Sequence, residues 1–272
     1  MNKSLYASYF EANKAGWNQR TSAHVGSAFY NVENWKQQGG NSLTPVEKRE
    51  LGDISGKSVL HLQCHFGQDT LSMARMGAAS VTGCDLSDQA IATARNLAVE
   101  LGISNATFVC CNVYDLAEHL EGQFDLIFTS YGTIGWLPDL APWAAVVGHF
   151  LKPGGQFYMA DFHPVLWMLD DGMTHLKYPY HNADVIVTEH SSSYTDQSDH
   201  LQFTEYGWNH SISELLNSLL KNGLKLDFFN EYPFSPYNCF ANTVQGDDGF
   251  YRIKGLENVI PMMYSLQMTK PL

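Results

Sequence analysis

The run Ser58-Val-Leu-His-Leu-Gln-Cys-His-Phe-Gly67 ends an apolar stretch in a turn from which a helix can start. A second apolar run, Ser80-Val-Thr-Gly-Cys-Asp85, ends in a carboxylate. Residues of these types in this order can build a nucleoside pocket. The turn brings a ligand to backbone amides at a helix N-terminus, and an acid closing the next strand can accept from both ribose hydroxyls. Asp85 has a second reading, as a carboxylate favoured by the dipole of the following helix, although Ser87 already caps that helix. The turn is poor in glycine: Gln63, Cys64, His65 and Phe66 precede Gly67, and the G-x-G-x-x-G of dinucleotide sites is absent. A nicotinamide-dependent oxidoreductase of Rossmann type is weakened by that absence and stands as an alternative. So does a non-catalytic protein that binds the nucleoside, or nothing, and works by protein contact.

Other side chains could hold or move protons. His61, inside the first strand, is either a satisfied near-core histidine or part of a ligand shell. Asp161-Phe-His-Pro164 closes a strand at the end where ligands bind such sheets, so His163 is a candidate general base as well as a structural one. His210, in Tyr206-Gly-Trp-Asn-His210, is a second candidate. Cys64, Cys84, Cys110 and Cys111 fall near the ends of the first three strands, but no CxxC pair exists and buried thiols are common in cores. No metal is expected.

The elements that must position these residues alternate strand and helix. Strands are expected at 58–62, 80–84, 107–111, 124–129 and 155–160. Helices are expected at about 67–76, from Ser87 to Gly102, and at about 139–150. Parallel strands need helical crossovers, so the arrangement is a doubly wound α/β sheet. Residues 1–57 carry scattered aromatic and polar side chains and read as a helical and loop extension. Residues 162–210 read as a β-rich insertion, an antiparallel pair capping the sheet. A helix from the capping box Ser211-Ile-Ser-Glu214 to Gly223, then strands at 224–231 and 262–269, complete the core.

Composition narrows the partners. The chain has 272 residues, 44% hydrophobic and only 16% charged, enough for one well-cored domain with elaborations. Net charge is −12 and Lys48-Arg49 is the only adjacent basic pair, so no cationic face for nucleic acid is expected. No apolar run approaches the roughly 18 residues of a membrane span, and no signal pattern opens the chain. A soluble, cytoplasmic protein acting on a small molecule is expected, and five unpaired cysteines suit a reducing compartment.

The order strand, turn, helix, strand with acid, then two strands and Leu-Lys-Pro-Gly-Gly155 resembles the class I S-adenosylmethionine-dependent methyltransferase family over about residues 56–161. The final helix and two strands resemble that family's closing hairpin more loosely. The resemblance implies a mostly parallel seven-stranded sheet with helices on both faces and an antiparallel last strand. The family's first motif reads hydrophobic-hydrophobic-Asp/Glu-x-Gly-x-Gly-x-Gly. Here His61 replaces the acid, Gln63 and His65 replace two glycines, and Gly67 remains. More narrowly, the chain is similar to a bacterial subgroup of small-molecule-type methyltransferases that carry LHLQCHFGQD at this point.

The resemblance implies S-adenosylmethionine as cofactor, with contacts from His61, Gln63, His65, Gly67, Asp85, Leu86, Asn112, Val113 and Ser130. Asn112 can accept from the adenine amine, or can simply make an Asx turn. Tyr131 and Trp136 would line the methyl-transfer chamber, or pack a glycine-containing loop. His163, His210 and Tyr131 stand as catalytic candidates. Trp17, Arg20, His24, Tyr30 and Trp208 would belong to a lid and acceptor pocket. The implied partner is a small methyl acceptor, and the protein is a monomer or homodimer.

Overall fold

The computed structural model describes residues 3–37, 39–181, 184–195 and 201–272, with side chains from Tyr6 onward. Short parts of the regions expected at 1–57 and 162–210 lie outside the described residues.

Strand β1 (Ser58–Leu62) is buried along nearly its whole length, which explains why it reads as a continuous apolar run and not as an alternating one. Leu60 and Leu62 face a core shared with α6 (Leu140–Phe150) and α7 (Ile212–Lys221). Val59 faces the opposite core with α3 (Pro45–Leu51) and α4 (Gln68–Arg75). Alternation across the strand therefore clothes both faces of the sheet with helices.

The remaining core strands are β2 (Ser80–Asp85), β3 (Ala106–Cys110), β4 (Phe124–Ser130), β5 (Leu151–Phe162), β8 (Lys225–Tyr232) and β11 (Met263–Thr269). Their order is β3-β2-β1-β4-β5-β11-β8. The first five run parallel, and β11 lies antiparallel to both β5 and β8. The seven-stranded sheet and its antiparallel last strand are as expected. Helix α5 (Asp88–Glu100) is capped by Ser87, whose hydroxyl accepts from the Ala90 N–H. The chain reverses direction across the sheet between β1 and β4, and ligands bind such sheets outside the carboxyl ends of the strands at that point.

Four details differ from expectation. Lys152-Pro-Gly-Gly155 lies inside β5, where the register with β4 jumps from Phe124↔Leu151 to Leu126↔Gln156, so the glycines make a bulge within the strand. The Ser211 box is half formed. Its hydroxyl accepts from the Glu214 N–H, but the Glu214 carboxylate turns to His210 Nδ1 at 3.1 Å. The antiparallel pair in the insertion, β6 (Ile186–His190) and β7 (Phe203–Gly207), seats on helix α1 (Lys3–Gly26) and not on the sheet. Asn13 makes reciprocal bonds to the Tyr206 backbone, and Arg20 pairs with Glu205 at 2.6 Å. A further hairpin, β9 (Thr243–Gln245) with β10 (Tyr251–Ile253), was not legible in strands of three residues. The first segment also contains a short helix α2 (Val32–Gln37).

Candidate active site

The turn after β1 keeps the backbone of a glycine-rich loop without the glycines. Gln63, His65 and Gly67 all have positive φ, at 55°, 50° and 77°. For the two non-glycine residues that conformation costs on the order of 1–2 kcal/mol each. Side-chain contacts hold them there. Gln63 Nε2 donates to the Thr133 carbonyl at 2.7 Å, and His65 Nε2 lies 2.9 Å from His24 Nδ1. Gly67 has no such freedom. A Cβ there would sit 2.7 Å from Phe108 and 2.9 Å from Ala94.

Asp85 closes β2 opposite this turn. Its Oδ2 accepts from the His65 N–H at 2.8 Å and its Oδ1 from the Ser87 N–H at 2.9 Å. Burial pushes the Asp85 carboxyl up, and these backbone donors pull it down. Each oxygen keeps a lone pair for a ligand hydroxyl.

Turn, acid and strand ends enclose one cavity of about 760 Å³, within the roughly 300–1,000 Å³ usual for small-molecule sites. Its walls include His61, Gln63, His65, Gly67, Asp85, Leu86, Asn112, Val113 and Ser130, so every residue expected at the cofactor lines a single space. Trp17, Tyr30, Tyr131 and Trp136 line it too. Two polar atoms of these residues, Gln63 Oε1 and His65 Nδ1, are buried and have no partner among the described residues. Such atoms are costly unless something pairs with them.

Helix α1 covers the turn. The Trp17 ring meets His65 edge-on at 5.1 Å and Trp136 at 5.2 Å. His24 is fully buried and links His65 to the Ser193 hydroxyl, 2.8 Å from its Nε2. Burial holds both imidazoles neutral, His24 at about 3 and His65 well below its usual range. The hydrogen-bond chain then fixes a choice. If His65 Nε2 donates to His24, His65 Nδ1 is an acceptor. If His24 donates, His65 Nδ1 carries a proton to offer.

Several expected residues take other places. His24 and Arg20 stand behind the cavity wall. The Arg20 guanidinium stacks within 5.6 Å of Trp17, Trp136 and Phe203 and pairs with Glu205. Trp208 packs edge-on against Tyr6 at 6.0 Å, away from the cavity lining. His163 does not reach the cavity. Its Nδ1 accepts from the Val165 N–H, capping the turn after β5, and its Nε2 lies 3.0 Å from Glu231. His210 is held between the Leu137 carbonyl and Glu214. Sequence position brought both histidines near strand ends, but their rings turn away from the cavity to satisfy local backbone and carboxylate groups. His61 has a structural partner and also a place in the cavity wall. It lines the cavity while its Nδ1 lies 2.8 Å from the Thr70 hydroxyl, and burial holds it neutral, down to about 3. Asn112 also makes its Asx turn, accepting from the Tyr114 N–H while facing the cavity.

Beyond the turn the same cavity has a further stretch of wall, its second chamber, with residues that sequence reasoning missed. Ser42, Asp69, Tyr194 and Tyr237 line it with Tyr30 and Tyr131. Asp69 closes the LHLQCHFGQD run and could have been singled out there. Tyr194 and Tyr237 sit in irregular segments with no pattern to mark them. Asp161 anchors the loop between the chambers, since its carboxylate accepts from the backbone N–H groups of Gly132, Thr133 and Phe162.

Residues 59–155 match the sequence model of the methyltransferase domain family. A ubiquinone biosynthesis O-methyltransferase of Neisseria meningitidis is 34% identical over 108 residues, 40% of this chain and 45% of that protein. The chain spans about half the length of the curated relatives it matches. Among solved structures, an S-adenosylmethionine-dependent methyltransferase from Mesorhizobium loti superposes with a TM-score of 0.56 at 19% identity, covering 83% of this chain and 96% of that one. Geranyl diphosphate C-methyltransferase from Streptomyces coelicolor, solved with geranyl diphosphate and S-adenosylhomocysteine, gives 0.53 at 14% identity over 83% and 76% of the two chains. These likenesses establish the shared fold.

Proposed function

We propose that this chain, which carries a class I S-adenosylmethionine-dependent methyltransferase domain, moves the methyl group of that cofactor onto a small-molecule acceptor. The observation that carries the proposal is the left-handed backbone at Gln63, His65 and Gly67 facing Asp85 in the wall of one cavity. The donor set fits the cofactor. Asp85 suits a ribose diol, and Asn112 and Val113 an adenine edge and face. The Gln63 and His65 side chains at the turn suit an amino-acid tail carrying both an ammonium and a carboxylate. A pyrophosphate would need bare backbone at the turn, which Gln63 and His65 cover.

When bound, the cofactor supplies a methyl group already activated on a cationic sulfonium. The protein's part is positioning, because holding acceptor and methyl at near-attack distance is worth several kcal/mol of barrier. Trp17 and Trp136 offer ring faces to a cation beside the turn. Helix α1 and the β6–β7 pair exclude water from the chamber. Tyr131 is the expected catalytic candidate that lines the cavity, and its hydroxyl lies 3.4 Å from that of Thr44. In this reading the enzyme is bacterial and cytoplasmic, acts as a monomer or homodimer, and takes neither nucleic acid nor membrane as substrate. The net charge of −12 supports that choice of partner.

Calorimetric titration with S-adenosylhomocysteine and with NAD tests the reading. Saturable binding of the first, with none of the second, is the expected result. Binding of NAD, or of neither, overturns it.

A further inference from the structure

The second chamber has a distinctive chemistry. Its wall carries the tyrosines Tyr30, Tyr131, Tyr194 and Tyr237, and the rings contact one another. Tyr131 meets Tyr237 edge-on at 4.9 Å, Phe29 meets Tyr237 at 5.6 Å, and the Tyr30 and Tyr194 hydroxyls lie 2.6 Å apart. One ionisable acid, Asp69, opens into this box from the first turn of α4. The Ser42 hydroxyl donates to Asp69 Oδ1, while Oδ2 has no hydrogen-bond partner among the described residues. Behind it Glu47 is fully buried. Its Oε2 accepts from the Thr44 N–H and its Oε1 has no partner among the described residues.

Among the described residues that line the cavity there is no lysine or arginine. Arg20 is paired with Glu205 behind the tryptophans, and Lys48 is exposed on α3, reaching toward the Asn41 carbonyl. An anionic acceptor would therefore meet a carboxylate with no lysine or arginine beside it in the cavity wall, which is unfavourable. A cation in the same space neutralises Asp69 and lies against aromatic rings, which attract it through their quadrupoles. Burial raises the carboxyls of both Asp69 and Glu47, and the Lys48 charge on α3 pulls each of them part of the way back down.

We propose that the second chamber binds its acceptor as an organic ammonium, held by Asp69 within the tyrosine box, so that the methylated atom is an amine nitrogen. The proposal rests on the methyl-transfer reading above for its chemistry, but the binding of the ammonium does not. For the transfer, the ammonium must first lose a proton, and the Asp69 carboxylate is the group placed to take it. The freed nitrogen lone pair then forms the C–N bond as the methyl–sulfur bond breaks. The electrons of that bond stay on sulfur, giving a neutral thioether and a methylated ammonium.

Three probes of matched size and different charge separate the possibilities: phenethylamine, 2-phenylethanol and 3-phenylpropionate. Each is titrated calorimetrically into the full chain saturated with S-adenosylhomocysteine, and into the chain alone. Phenethylamine is expected to bind at least tenfold tighter than either other probe. Asp69→Asn should remove that preference while leaving S-adenosylhomocysteine affinity within twofold. Tyr237→Leu, which keeps the carboxylate, should weaken phenethylamine severalfold and 2-phenylethanol little. Equal or tighter binding of the alcohol or the acid, binding of none of the three, or an unchanged preference in a folded Asp69→Asn variant overturns the proposal. Failure of S-adenosylhomocysteine to bind, with the amine preference intact, would overturn the methyl-transfer reading and leave the ammonium site standing.

Discussion

The Asp85 carboxylate holds the His65 backbone N–H at 2.8 Å, so the acid at the end of β2 fixes the left-handed turn at the end of β1. The same carboxylate holds the Ser87 N–H with its other oxygen, at the start of α5. Turn, acid and helix are thus one hydrogen-bonded unit before any ligand arrives. That unit preorganises the pocket, since ordering these groups on binding would otherwise cost affinity.

Removing the carboxylate should therefore affect both ligand and fold. Asp85→Ala is expected to weaken S-adenosylhomocysteine about tenfold or more, as loss of hydrogen bonds to a charged group implies. Asp85→Asn, usually the milder change, turns an amide N–H₂ toward one of two backbone donors and should be no better than alanine for binding. Calorimetry and thermal melting on both variants check this. An Asn variant with wild-type affinity would show that the two backbone bonds do not set the geometry.

Gln63 offers a separate test of the strained turn. At ordinary sites replacing glycine with alanine stabilises by about 0.4–1 kcal/mol, through the entropy of the unfolded chain. At φ 55° the Cβ is disfavoured in the folded state, so the order should reverse. Gln63→Gly is expected to be more stable than Gln63→Ala by about 1 kcal/mol in chemical denaturation. Both lose the bond to the Thr133 carbonyl, so the comparison isolates the backbone. A more stable alanine variant would mean that the turn relaxes out of the left-handed region.

How legible this site was depended on whether a residue's role follows from its neighbours in sequence. Gln63, His65, Gly67 and Asp85 sit at strand ends whose order is set by local periodicity, and all of them line the cavity. His163 and His210 sit at similar places along the chain, but the orientation of a ring is settled by partners distant in sequence. Glu231 lies 3.0 Å from His163, and the Leu137 carbonyl 2.7 Å from His210. Tyr30 and Tyr131 were named from sequence, but their assembly with Tyr194 and Tyr237 into one box was illegible for the same reason. Tyr30, Tyr131, Tyr194 and Tyr237 come from four separate segments, three of them outside the matched residues 59–155, and meet only through tertiary packing. The parallel, doubly wound arrangement was readable because parallel strands need helical crossovers, whereas the seating of β6–β7 on α1 depends on Asn13 and Arg20 reaching across the chain.

Glu47 supplies the pH dependence. Burial pushes its carboxyl from 4.5 up to about 8, with Asp69 adding to the rise. The folded chain then keeps a proton on Glu47 that the unfolded chain releases above about 4.5. Because the unfolded state binds fewer protons across that interval, stability falls as pH rises from about 4.5 to about 8, and is level beyond it. Glu47→Gln keeps an acceptor for the Thr44 N–H and removes the titration. The variant should match the parent near pH 5 and exceed it at pH 9. At roughly 1.4 kcal/mol per unit, reduced by relaxation around the site, the gain is of order 1–3 kcal/mol. Denaturant titrations of both proteins at pH 5, 7 and 9 measure it. A parent whose stability holds level across that range would show Glu47 ionised in the folded protein and the second chamber richer in negative charge.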